Sequence, residues 1–504
     1  MELWIVILSF VFAFCMAFAI GGNDVGNSFG TSVGSKALSM TKACIIATIC
    51  EMAGAVFMGY KVSNTVRKGI FEPEIFQELP MELSLGFFAV IIATALCTLF
   101  ATMIRQPISG THSMVGAVIG FVLVLNGYEN IKWKMLGTIE KQDEVTRISW
   151  IVSPLLSGIL SVIVFFLVKK LILSKENFIK RGYNSMPVFV WFTILINLFS
   201  IIHDGPSYLG FDILPIWGVL LISAIIGILF ALGTYFIYVP FLKNSYSSTC
   251  DVERGEKNVK YIARDEVSSE VTSNDHNGSI IAIKEICVSV DEVEKKRIKV
   301  EKESGSSSVD VVPPAVTESA ISSDSSPNDV DNDEDDHPQI AKIFSVLQIL
   351  TAIFASFAHG ANDVSNAVGP LIAVWSIYQT GNTNQNNEPP FWLMIYGGIG
   401  ISFGLWILGK KVMHTIGERL TKINPSNGFC IELGAAVTVL FASKFGLPIS
   451  TTHCKVGSVI LVGLANSKGV SWKPVIEIIC TWVLTVPISC AVSAAVMVLL
   501  KKII

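Results

Sequence analysis

Residues 21–30 read Gly-Gly-Asn-Asp-Val-Gly-Asn-Ser-Phe-Gly, and residues 360–369 read Gly-Ala-Asn-Asp-Val-Ser-Asn-Ala-Val-Gly. A second pair of stretches follows in the same order. Residues 107–119 (PISGTHSMVGAVI) return as 448–460 (PISTTHCKVGSVI). The offsets are 339 and 341, so both motifs and their separation are kept. A weaker match lies between them, 54–66 (GAVFMGYKVSNTV) against 404–416 (GLWILGKKVMHTI). Three matches in one order mean that the chain carries two copies of one unit. Duplicated halves are characteristic of secondary transporters, whose binding site lies between the repeats near the middle of the bilayer.

The surroundings of these motifs place them in a membrane. Of the 504 residues, 51% are apolar and only 15% charged. The mean hydropathy is +0.57. Twelve apolar runs approach the roughly 20 residues that a bilayer crossing needs: 3–20, 43–60, 86–104, 107–126, 149–173, 187–203, 214–239, 343–358, 391–409, 428–446, 448–465 and 474–500. The first run follows Glu2 without a preceding Lys or Arg, so it reads as a retained helix and not a secretory leader. The ten cysteines are scattered mostly through apolar runs and form no pairing framework or metal spacing.

One segment interrupts the pattern. Residues 243–340 are polar, rich in Ser, Asp and Glu, and contain the run DNDEDD at 331–336. Such a composition cannot bury a core, and disorder is expected. The chain therefore divides into an N-terminal repeat half, 1–242, a loop, 243–340, and a C-terminal repeat half, 341–504. Lys169, Lys170, Lys175, Lys180 and Arg181 place the loop 169–181 in the cytosol by the positive-inside rule. Two further crossings bring 243–340 to the same side, where the sequon at Asn277 would stay unused.

The motifs carry two kinds of chemistry. Asn23 and Asp24, with Asn362 and Asp363 as their second copy, follow long apolar runs directly. Their oxygens are hard donors suited to an alkali cation, and the flanking glycines predict a backbone that leaves the helix there. Pro107–His112 and Pro448–His453 each join two apolar runs with almost no loop. Pro, Ser and Thr favour helix starts. The first amides of such a helix form an anion cradle, to which Ser109, Gly110, Thr111, Ser450, Thr451 and Thr452 belong. Asn27 and Asn366 complete the anion set. A site holding both kinds of group suits an anion that travels with cations, each neutralising the other. Glu51, Glu432, His112 and His453 are candidates for a cation path or for coupling. Lys455 stands either beside the anion or as a structural or snorkelling lysine. His203 and Asp204 read as a loop.

These residues resemble the signatures of the inorganic phosphate transporter (PiT) family, the type III sodium-dependent phosphate cotransporters. The likeness rests on GGNDVGNSFG, GANDVSNAVG, PISGTH and GLPISTTHCKVGS and covers both halves. It implies an all-α multi-pass membrane protein of two inverted repeats. Discontinuous helices, two re-entrant helical hairpins and about 10–12 membrane segments belong to that expectation. It implies uptake of inorganic phosphate with sodium, or with protons as in some bacterial and plant members. Sodium would bind at Asn23, Asp24, Asn362 and Asp363, and Glu51 and Glu432 match two acidic positions of functional weight. No enzymatic activity, resident cofactor or nucleic-acid partner is expected. The setting is a lipid bilayer, expected to be the plasma membrane, and a homodimer is kept open. Transport of a different anion such as sulfate on the same architecture, a signalling or receptor protein that retains the fold, and a channel are the competing readings.

Overall fold

The computed structural model describes residues 2–128, 149–203, 210–244 and 336–503, apart from 69, 72, 386–387, 448 and 467–468, together with 131 and 205. Most of the 243–340 loop, including Asn277, lies outside the described residues, as do Asp204 and Pro448. The first half contributes α1 (Leu3–Gly34), α2 (Met40–Lys68), α3 (Pro80–Met103), α4 (Gly110–Asn126) and α5 (Ser149–Val168). Two further helices follow, α6 (Phe178–Ile202) and α7 (Ile216–Gly233, extended by a wider turn at Thr234–Tyr238). The second half contributes α8 (Pro338–Thr380), α9 (Phe391–Glu418), α10 (Pro425–Lys444), α11 (Thr451–Ala465) and α12 (Trp472–Ile503). Ten spans are long and apolar enough to cross a membrane, and α4 and α11 are the shorter apolar helices among the described residues.

Each of the twelve apolar runs coincides with one helix, and several helices outrun their runs. The run 343–358 is only part of α8, which has 43 residues and measures about 64 Å at 1.5 Å per residue. That helix starts at Pro338, inside the stretch read as loop, because Pro suits a first turn and His337 accepts a bond from the Gln339 amide. Asp336 accepts further bonds from the Ser426 amide (2.9 Å), the Ser426 hydroxyl (2.7 Å) and Asn424 (3.0 Å), a negative group on the α10 N-terminus.

The expected departure from the helix at Gly21-Gly22 does not occur. α1 runs unbroken through the motif, and α8 does the same through Asn362 and Asp363. The glycines serve a different purpose, close approach. A Cβ on Gly21 would lie 2.1 Å from the Ile401 carbonyl oxygen, and one on Gly360 would lie 2.1 Å from that of Glu51. Small residues at membrane helix crossings allow this backbone contact. The breaks lie instead at residues 104–109 and 445–450, between α3 and α4 and between α10 and α11.

The helices interlock across the two halves. α1 packs along α9 and α8 along α2; α1 meets α3 and α8 meets α10; α4 meets α12 and α11 meets α5. Each pairing has its counterpart in the other copy, so residues 1–246 and 335–504 form one compact unit. The equivalent helices α1 and α8 run in opposite directions. Phe10 touches Trp375, Ser28 touches His359, and Ser35 touches Gln348. α3 runs parallel to α1, with Phe88 against Trp4 and Thr102 against Asn23. α10 runs parallel to α8, with Phe429 against Phe344 and Ile449 against Asn362. Two helical hairpins, α3–α4 and α10–α11, thus come from opposite ends and meet at their tips. α7 packs chiefly on α6 and leaves Trp217, Phe236 and Ile237 exposed.

Both tips turn through a left-handed residue. The Gln106 amide reaches the Ala101 carbonyl (2.9 Å) and the Leu447 amide reaches that of Ala442 (2.8 Å), which closes the end of the preceding helix. The left-handed residue is Gly446 (φ 68°) in one tip and Arg105 (φ 63°) in the other. A side chain there is strained by about 1 kcal/mol. Arg105→Gly is expected to raise the thermal midpoint in detergent and Gly446→Ala to lower it, each by the equivalent of about 1 kcal/mol.

Candidate functional site

The two Asn-Asp motifs converge with residues 108–112 and 449–453 of the hairpin tips, all of them buried inside the unit. From α1, Asn23 fixes the first tip. Its amide donates to the Thr102 hydroxyl and to the Gln106 carbonyl, both at 3.0 Å, and its oxygen accepts from the Ile108 amide at 2.9 Å. From α8, Asn362 donates to the Ile449 carbonyl (3.0 Å) and to Asp363 (2.9 Å). Each Asn thus holds the tip of its own repeat through backbone atoms.

The next residue on each helix, one turn on, holds the opposite tip. Asn27 donates to Thr452 (2.9 Å), Thr451 (3.3 Å) and Asp24 (3.0 Å). Asn366 donates to Thr111 at 2.7 Å. The tips also bond each other crosswise: Thr111 donates to the Ile449 carbonyl (3.1 Å), and Thr452 donates to the Ile108 carbonyl (2.9 Å). The bonds from Asn27 to Thr451 and Thr452, from Asn366 to Thr111 and between the tips all cross from one half to the other. Gly110 stands where the other tip has Thr451. A Cβ on it would lie 3.3 Å from Asp24 Oδ2, so the missing side chain leaves room at that carboxylate.

The aspartates were assigned to cations and the hydroxyls to the anion, but the structure interleaves them. Thr452 donates to Asp24 Oδ1 (3.2 Å), and Thr451 lies 3.5 Å from both oxygens of Asp363. Buried carboxylates need such donors, because an unpaired charge in a low-dielectric interior costs several kcal/mol. Ser109 and Ser450 act as helix caps, accepting from the amides of His112 and His453, both at 3.1 Å. The Ser113 and Cys454 amides bond the cap carbonyls, which leaves the amides of Gly110, Thr111, Thr451 and Thr452 at the two helix starts. Those four amides and the three threonine hydroxyls form the donor face of the site.

The acceptor face is more telling. Asn27 Oδ1, Asn362 Oδ1 and Asn366 Oδ1 are buried and have no hydrogen-bond partner among the described residues. Their amide nitrogens are committed to protein acceptors, so these oxygens remain available as acceptors. A buried acceptor left so costs about 1–3 kcal/mol. Asn27 and Asn366, read from sequence as anion ligands, therefore present oxygens suited to a cation.

The remaining candidates fall outside this centre. Glu51 accepts from Ser28 (3.2 Å), which also bonds His359 Nδ1 (2.8 Å). Glu432 accepts from Thr31 and forms an ion pair with Lys455 at 2.5 Å, both side chains fully buried. Lys455 neither snorkels nor joins the donor face; it has its own carboxylate. His112 and His453 pack on each other with ring centroids 4.5 Å apart, behind the two tips, and His453 also packs on Trp482. His203 ends α6 as its C-terminal cap. Sequence reading missed Thr102, His359, Thr31 and the backbone of Ile108 and Ile449. A signal existed for His359, which precedes the second motif where the first has Ile20.

Comparison with known proteins gives a consistent result. The profile of the phosphate transporter family matches residues 20–493. Sodium-dependent phosphate transporter 1-A of Danio rerio is 36% identical over 631 aligned residues, covering 100% of this chain and 95% of the relative. Sodium-dependent phosphate transporter 1 of Homo sapiens is 34% identical, covering 100% and 96%. A solved structure described as the sodium-dependent phosphate transporter superposes with a TM-score of 0.72 at 33% identity, covering all of both chains.

Proposed function

The chain belongs to the phosphate transporter family, and we propose that it imports inorganic phosphate with sodium by exposing one central site alternately to the two sides of a membrane. It is a multi-pass membrane transporter and not an enzyme. Phosphate and sodium as the transported pair follow the names of its relatives. The observation that carries the site assignment is the set of three buried, unpartnered amide oxygens beside two aspartates. Carboxylate and amide oxygens suit a hard cation, as they do in other oxygen-ligated sites. We assign sodium to Asp24, Asn27, Asn362, Asp363 and Asn366, with Asn23 positioning the first tip. We assign phosphate to the donor face: the amides of Gly110, Thr111, Thr451 and Thr452 and their threonine hydroxyls, with Ser109 and Ser450 capping the two helices. These aligned N-terminal amides favour an anion. No resident cofactor takes part, and the plasma membrane is the expected site of action.

The reading explains why both ligands travel together. Phosphate placed beside Asp24 and Asp363 alone would meet two like charges; sodium between them removes that repulsion. The threonine hydroxyls now bonded to aspartates must turn to phosphate when it binds, so cation and anion binding rearrange one network. The antiparallel course of α1 and α8 supports repeats inverted across the bilayer, with the hairpins entering from opposite faces. Radiolabelled phosphate uptake into proteoliposomes tests the reading, with sodium and proton gradients imposed separately. Saturable uptake that requires the sodium gradient and resists excess sulfate is the expected result. Uptake driven equally by protons alone would overturn the sodium assignment, and the absence of uptake in either gradient would overturn transport.

A further inference from the structure

One polar feature next to the site has no counterpart in the other repeat. One turn along α1 from Asn27, Thr31 donates to Glu432 Oε1 on α10. One turn along α11 from Thr451 and Thr452, Lys455 holds Glu432 Oε2 at 2.5 Å. All three residues are fully buried. Together they form a second rung parallel to the first one, in which Asn27 on α1 holds Thr451 and Thr452 on α11.

The repeat supplies its own control. At the repeat offsets, Thr31 corresponds to Pro370, Glu432 to Ile91 and Lys455 to Met114. The first rung is preserved in the other copy as Asn366 to Thr111, but the second is apolar throughout. The packing of α8 against the α3–α4 hairpin therefore manages without an ion pair. Burying an ammonium and a carboxylate carries a desolvation cost that apolar residues of similar volume avoid. A fold that fills these positions with Pro, Ile and Met in one copy does not need charge there to pack the other.

We propose that Thr31, Glu432 and Lys455 form a positioning rung that fixes the α10–α11 hairpin to α1. The rung holds Thr451 and Thr452 in register with Asp24 and Asn27 and so sets the sodium affinity of that half of the site. None of the three touches the transported ions. Glu432 is the middle of the rung: one oxygen serves the helix that carries the aspartate, the other serves the helix that carries the threonines. The α3–α4 hairpin lacks the rung and meets α8 through apolar contact and the Asn366–Thr111 bond.

The inference rests on the assignment of Asp24 and Asn27 to sodium, and the test separates the two. Thr31→Val removes the hydroxyl, keeps the volume and leaves the Glu432–Lys455 pair intact. Its half-saturating sodium concentration for phosphate uptake in proteoliposomes is expected to rise about tenfold, in line with the loss of a hydrogen bond to a charged group. Its abundance should stay near that of the unmodified protein, and its thermal midpoint should fall modestly because Glu432 Oε1 loses its donor. The double variant Glu432→Ile with Lys455→Met copies the other repeat and should show the same sodium shift in a folded protein. The exchange Glu432→Lys with Lys455→Glu keeps a pair but moves the carboxylate off α10, and it should not restore sodium affinity. Wild-type sodium dependence in both Thr31→Val and the Ile/Met double variant overturns the rung as a positioning device. An Asp24→Asn variant with undiminished sodium dependence would instead remove the assignment beneath it.

Discussion

Replacing Asp24 by Asn leaves a folded protein in which sodium-driven phosphate uptake falls to about a hundredth or less, since a charged hydrogen-bonding ligand contributes about 3 kcal/mol. The same is expected of Asp363→Asn. The substitution keeps shape, so the bonds that Asp24 accepts from Asn27 and Thr452 can be reproduced in part by an amide oxygen. What disappears is the charge that offsets the cation. Removing a buried charge also relieves the protein of a desolvation cost, so stability should not fall and can rise. The measurement is a pair: initial rates of labelled uptake at saturating sodium, and the thermal midpoint of the purified variant. Uptake within a factor of about three of the unmodified protein in both variants would show that the carboxylates do not hold the coupled ion.

The second large effect lies away from the ions. Gly404→Ala on α9 is expected to prevent assembly of a folded carrier. Its Cβ would stand 1.8 Å from the Phe18 carbonyl oxygen and 2.9 Å from the Gly22 amide of α1. Backbone cannot move aside as a flexible side chain can, so at least about 3 kcal/mol of strain is expected. The equivalent Gly54→Ala would meet the Phe357 carbonyl oxygen at 1.9 Å and should behave alike. Gly233, where a Cβ meets nothing within 4 Å, is the control. Alanine there should be neutral or stabilising by about 0.5–1 kcal/mol. Size-exclusion profiles of the fluorescently tagged variants distinguish these outcomes. A monodisperse Gly404→Ala protein would mean that α1 and α9 are looser than their contact implies.

The sequence made some of this legible, for reasons that can be named. The pairs at Asn23-Asp24 and Asn362-Asp363, and the two Pro-Ile-Ser tips, were recognisable because duplication marks them twice and apolar runs isolate them. The course of α1 was misread because glycine pairs weaken helices in water, whereas in a packed membrane helix they admit a neighbouring backbone, here that of Ile401. The sequence also leaves open which ion Asn27 and Asn366 serve. An amide offers both donors and an acceptor, and only its neighbours decide which remains. The link from Thr31 to Glu432 spans 401 residues and follows no local period, so no pattern along the chain could have disclosed it. The backbone atoms of Ile108 and Ile449 carry no side-chain signature at all.

The crosswise bonds between the tips have a historical implication. Thr111 reaches Ile449 and Thr452 reaches Ile108, so neither half closes a site by itself. Before the duplication, a single ancestral half could have built this arrangement only by meeting a copy of itself lying the opposite way in the membrane. An ancestor that inserted in both directions, with weak bias of basic residues between its ends, would satisfy that condition. In the fused chain each half has one orientation, and Thr31 and Pro370 stand at equivalent positions with different side chains.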